Sequence, residues 1–204
     1  MTRTSLVMVA MAAIGLPILA VASIPDPCTS TVGSAAGVLV ACPRGDGPSL
    51  GSLGLTITIE VRDPTNVPVP NIPATDIWLI GCGDLLALCG GTGAINASGP
   101  TDAAGRTTIT DSFAAGGCDR GVLVVVQGII IDGPGCGQPC PPIAVRSPDI
   151  NASLAVNVAD LALFGAGYPS PPQAYGECLD FAAPYGAINL ADFSKFGEHY
   201  QHLC

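Results

Sequence analysis

The sequence predicts a mainly β protein with a small α tail: a β-sandwich followed by a two-helix module. Three observations predict it. Short apolar stretches alternate with polar residues and are bounded by turn residues, with 26 Gly and 19 Pro in 204 residues. Charged residues make up 11% of the chain, which suits a turn-rich β protein rather than a helical one. Near the C-terminus a loop-then-helix pattern is written twice. The chain divides into a leader (1–22), a Gly/Ser/Pro-rich lead-in (23–53), a β-sandwich (54–146) and the repeat module (147–204).

Residues 1–22 read as a secretory signal. Arg3 supplies the positive start, Leu6 to Val21 is apolar, and Ala20-Val21-Ala22 is a cleavage site before Ser23. Gly15 and Pro17 break the apolar run, which is short for a membrane span. The mature chain is therefore expected to carry no membrane span and to be secreted, either extracellular or at the cell surface. Pro27 precedes Cys28, so this is no lipoprotein acylation site.

Within the lead-in, Val38 to Ala41 suits a short strand. Leu55 to Arg62 alternates strictly, with Leu55, Ile57, Ile59 and Val61 on one face. Asp63 to Asn66 is a turn, and the Pro-studded stretch after it cannot be a central strand. Asp76 to Ile80 is the next strand and holds the only Trp, Trp78. Gly81 to Gly99 reads as a Gly-rich loop. Thr101 to Arg106 is a turn into T-T-I-T. Gly121 to Ile131 reads as a fully buried strand, bulged or broken at Gly128. Ile143 to Arg146 adds a last short strand.

The combination I-T-I-E-V-R-D-P-T-N-V-P-V-P followed by T-D-A-A-G-R-T-T-I-T resembles bacterial Ig-like domains of the invasin type, and also carboxypeptidase-regulatory-like domains. The resemblance covers about residues 53–145. It implies an Ig-like sandwich serving as a stalk, spacer or adhesive module rather than a catalyst.

In the tail, oxygen-bearing side chains fall at positions 1, 3, 5, 9 and 12 of one loop: Asp149, Asn151, Ser153, Asn157 and Asp160. The carbonyl of Ala155 falls at position 7. Calcium takes six to eight oxygens at about 2.3–2.6 Å, and this spacing supplies them. Val156 to Tyr168 then lies over Ile188 to Tyr200, with Asp160 matching Asp192. Two such units can bury their helices' apolar faces against each other. The second loop is poorer in oxygen. Counting back from Asp192 puts Phe181 at position 1, and one inserted residue would restore Asp180. Asp180, Asn189 and Asp192 are its weak candidate ligands. The competing reading for both loops is plain helix capping, since Asn and Asp accept bonds from orphan N–H groups.

This paired loop and helix, with Asp rather than Glu at position 12, resembles the type I dockerin module over about residues 147–204. The resemblance implies Ca2+ as cofactor and a cohesin-like domain as partner. It also implies that loop positions 10 and 11 help choose that partner; here they are Val158-Ala159 and Leu190-Ala191. Near-equivalent pairs would permit two docking modes related by a two-fold. The chain departs from the EF-hand rule at position 6, where Leu154 stands in place of Gly.

Nine cysteines all follow the leader. In an oxidising compartment most should pair. Nearness in sequence favours Cys28 with Cys42 and Cys178 with Cys204, and the odd total leaves one over. Cys136 and Cys140 close a tight C-x3-C loop. The net charge of −9 excludes a nucleic-acid partner, whose phosphates need a basic footprint.

No catalytic motif is present: no nucleophile elbow, no H-E-x-x-H and no P-loop. The only histidines, His199 and His202, sit near the terminus. The chain is therefore not expected to be an enzyme. The leading reading is a secreted, non-catalytic binding or scaffold protein whose tail docks to a partner. A purely structural spacer with a vestigial calcium loop is the second reading. A small enzyme or accessory protein of polysaccharide breakdown is the third.

Overall fold

A computed structural model describes residues 23–83, 85–91, 93–168 and 176–204. The proposed leader, 1–22, lies outside the described residues. Among the described residues ten short strands form three sheets, and two helices follow them. This is a β-rich fold with a small α tail.

The first sheet runs β1-β3-β6 (Thr31–Gly33, Ile57–Glu60 and Arg106–Ile109). The second runs β2-β10-β7-β5 (Gly37–Val40, Ile143–Arg146, Ala115–Asp119 and Leu86–Leu88). The third runs β4-β8-β9 (Ile77–Gly81, Val122–Val126 and Ile129–Ile131). All pairings are antiparallel except β2 with β10, which is parallel. The lead-in is thus woven into two sheets through β1 and β2.

Alternation decides which face each strand buries. In β3, Ile57 and Ile59 are buried while Thr58 is exposed. All five residues of β8 are buried, as expected for a strand covered on both faces. The expected break at Gly128 is a two-residue hairpin turn. Gln127 and Gly128 both take positive φ (49° and 84°), the type I′ geometry that matches strand twist. Val126 pairs with Ile129 across it.

The T-D-A-A-G-R turn forms as expected. Asp102 Oδ1 accepts from the N–H groups of Ala104 and Arg106, and Gly105 takes φ 74°. Three strands escaped the sequence reading. β1 and β5 have three residues each, and β5 lies inside the stretch assigned to a loop. β7 reads A-G-G-C-D, with no β-branched residue to signal a strand.

One apolar core fills the β region. A second, smaller one belongs to the tail: Ile150, Val156, Phe164, Leu179, Phe181 and Phe196, with Val40 of β2 packed against it. None of the described helices is long and apolar enough to cross a membrane.

The disulfides correct both expected pairings. Cys28 bonds Cys136, Cys82 bonds Cys140, Cys89 bonds Cys204 and Cys118 bonds Cys178. Cys42 stays a free, buried thiol. Topology overrides nearness in sequence. The N–H of Asp132 donates to the carbonyl of Pro27, which carries Cys28 to the turn that holds Cys136. Cys42 instead follows β2 of the second sheet and bridges to Ala114. Cys204 N–H donates to the Leu154 carbonyl, which pins the last residues beside the first loop and away from Cys178. Two of the four bonds therefore staple the tail to the β region. Four disulfides fit an oxidising, extracellular setting.

Candidate functional site

The two helices of the tail begin alike. Helix α1 is Val158–Gly167 and α2 is Leu190–Glu198. Each starts at an Asn with extended backbone, at φ −143° for Asn157 and −144° for Asn189. Asn157 Oδ1 accepts from Ala159 N–H at 2.8 Å, and Asn189 Oδ1 from Ala191 N–H at 2.8 Å. Asp160 and Asp192 close the capping boxes by accepting from the N–H groups of Asn157 and Asn189. Each Asp also reaches back across its loop. Asp160 Oδ1 accepts from Asn151 N–H, and Asp192 Oδ1 accepts from Ala182 N–H. The sequence repeat is a structural repeat.

In the first loop the oxygens converge. Asp149 is fully buried; its Oδ1 accepts from Ser153 N–H and Oδ2 from Leu154 N–H. Ser153 Oγ lies 3.3 Å from Asp149 Oδ1 and 3.2 Å from the Ala155 carbonyl oxygen. Oxygens sharing one calcium at about 2.4 Å would sit roughly 3–3.5 Å apart, and these two separations fall in that range. Burial pushes the Asp149 carboxyl above its usual range, and the nearby Asp160 charge adds to that. The Leu154 and Ser153 amides oppose it. A cation here would offset both costs. Leu154 takes φ 64°, the left-handed turn that the EF-hand pattern gives to Gly. Asn157 departs from the ligand set. Its Oδ1 caps the helix and its Nδ2 donates to the Ala155 carbonyl. Capping therefore takes Asn157 out of the set, while Asp160 closes the capping box with one oxygen and reaches back to Asn151 with the other.

The second loop is the same loop with one residue inserted. Asp180 takes the place of Asp149: it is buried, and its Oδ2 accepts from Gly186 N–H. Gly186, at φ 115°, is the counterpart of Leu154. Ala182 and Pro184 bring no side-chain oxygen. A cation from the protein reaches in instead. Arg146, the last residue of β10, places Nη1 3.4 Å from Asp180 Oδ2 and donates to the Asp180 carbonyl. Its guanidinium also stacks over Tyr185, 5.0 Å from the ring centre. Asp180 Oδ1 has no hydrogen-bond partner among the described residues, so Arg146 is the charge that balances this carboxylate. Arg146→Met is expected to destabilise the protein by about 3–5 kcal/mol, because it strands a buried carboxylate. Denaturant unfolding checks this, and stability equal to the parent's would contradict it.

Sequence reasoning placed Arg146 only at the end of a strand. The register of β10 against β2 and β7 is what aims it at the tail.

The expected partner-binding positions lie at the first turns of the two helices. Val158 is 68% exposed and Leu190 71%, with Ala159 and Ala191 exposed beside them. An apolar groove between the helices adjoins them, lined by Leu161, Phe164, Gly165, Tyr168, Leu190 and Phe193. The β region does not cover this face.

No protein-family model and no curated protein matches the chain. Among solved structures, the crystal structure of the Lin-41 filamin domain is similar at 13% identity and a TM-score of 0.32. The match covers 58% of this chain and 95% of that one. A likeness this low carries no argument about fold or function.

Proposed function

We propose that the chain is a secreted, non-catalytic binding or scaffold protein. In this reading an Ig-like β-sandwich bears a dockerin-like tail, and the tail docks to a cohesin-like domain of another protein. One Ca2+ in the first loop orders the tail. Asp149, Asn151, Ser153, Asp160 and the Ala155 carbonyl would hold it. In the second loop, Asp180, Asn189 and Asp192 serve as a structural copy, with the Arg146 guanidinium in place of metal.

The observation that carries the reading is the exposed apolar pair repeated on two equivalently capped helices. Apolar side chains left open in this way mark interaction surfaces. The repeat supports two docking orientations, one centred on Val158-Ala159 and the other on Leu190-Ala191.

The test is a panel of type I cohesin modules titrated with the full chain, with calcium or with chelator. Binding should require calcium. Leu190→Arg alone should weaken it less than tenfold, since the other pair remains available. Val158→Arg with Leu190→Arg should remove it. Failure to bind any module, or binding unchanged in the double variant, would contradict docking through this face.

A second reading has its own support. Two disulfides and the Arg146–Asp180 pair fix the tail to the β region, as a rigid extracellular spacer would require. Absence of binding across the panel would favour it.

A further inference from the structure

The thiol left out of every disulfide sits in a second cluster of metal-binding groups, remote in sequence from the calcium loop. Cys42, Asp46, His199 and His202 each offer one ligand atom, and these atoms lie within 4.8 Å of one another. Cys42 is buried two residues beyond β2, and Asp46 follows in the next loop. Both histidines come from the C-terminal end of the tail.

The distances converge on one nitrogen. His202 Nδ1 lies 3.1 Å from Cys42 Sγ, 3.4 Å from His199 Nδ1 and 3.5 Å from Asp46 Oδ2. His199 Nδ1 is 3.9 Å from Asp46 Oδ1. One ring nitrogen has one proton or one lone pair, so it satisfies one of its three neighbours. A catalytic dyad or triad is also a poor match. There the orienting carboxylate holds the ring nitrogen opposite the nucleophile, whereas here thiol and carboxylate crowd the same nitrogen. The thiol is, besides, closed to solvent.

A central cation accounts for all four groups together. Ligands of a tetrahedral zinc at about 2.0–2.3 Å stand roughly 3.3–3.6 Å apart, close to the separations seen. Thiolate and imidazole select a borderline or soft divalent ion over calcium. We infer that Cys42, Asp46, His199 and His202 form a structural site for a divalent transition metal, zinc by preference. The site ties the C-terminal segment to the loop after β2. The exposed Asp46 gives the ion its way in, and four protein ligands leave no open position for catalysis. The site does not depend on the calcium loop or on docking.

Cobalt titrated into the chelator-stripped full chain tests this. One equivalent should produce a thiolate-to-cobalt charge-transfer band and the intense visible bands of tetrahedral coordination. Zinc should displace the cobalt, and excess calcium should not. Cys42→Ser should lose the charge-transfer band. Asp46→Asn, at an exposed position that leaves the fold intact, should weaken zinc binding by about tenfold or more. A parent titration without the charge-transfer band would overturn the site by itself, whatever the folding of the variants. An unchanged cobalt spectrum in Cys42→Ser would do the same.

Discussion

Asp149→Ala is expected to abolish the calcium-dependent part of the protein's stability. An ion that binds only the folded state at about 100 times its Kd adds about 2.7 kcal/mol, and this gain should vanish in the variant. Asp149 is the charged group on which the loop closes, accepting from Ser153 and Leu154 through both of its oxygens. The variant will therefore also be weaker without calcium. The informative quantity is the difference between unfolding midpoints with and without the ion. An equal calcium gain in variant and parent would remove Asp149 from the site.

Gly116→Ala should be nearly as damaging, and for a steric reason alone. A methyl group there would lie 1.8 Å from Asp149 Oδ2 and 2.7 Å from its Cγ, with the Ala152 backbone 3.3 Å away. No rotation of an exposed side chain relieves this, because the Asp149 carboxylate is buried and bonded on both oxygens. Either β7 or the loop has to move. The expected loss is about 3 kcal/mol or more, at the upper end for overpacking. The calcium gain should fall with it, since the displaced group is the first ligand of the proposed site. Thermal unfolding of the two proteins decides, and equal midpoints would contradict the close seating of the tail on β7.

That same glycine shows where sequence reasoning stops. Strands β3, β4, β8 and β10 announced themselves through alternation or continuous apolar runs, because one or both faces meet the core. The A-G-G-C-D stretch did not, because its residues were selected by what lies over them. Gly116 leaves room for Asp149, and Gly117 turns with φ 85°. The loop-and-helix repeat was legible because both copies solve one local problem, capping a helix with Asn and Asp. Even the inserted residue of the second loop could be seen by counting from Asp192.

Long-range partnerships were not legible. Cys28–Cys42 and Cys178–Cys204 were favoured on spacing, yet the bonds span 58 to 115 positions, as the sheet order dictates. The charge facing Asp180 comes from Arg146, 34 positions earlier, and nothing local marks it. His199 and His202 stand near the terminus with nothing local to mark them, and the fold carries Cys42 and Asp46 to them.

In the proposed reading two similar loops hold two different cations, a calcium ion in the first and the Arg146 guanidinium in the second. Calorimetric titration of calcium into the full chain, whose tail is stapled to the β region by two disulfides, decides this. One calcium per chain is the expected result. Two calcium ions per chain would mean that Arg146 yields its place, and no binding would leave the repeat as a purely structural device.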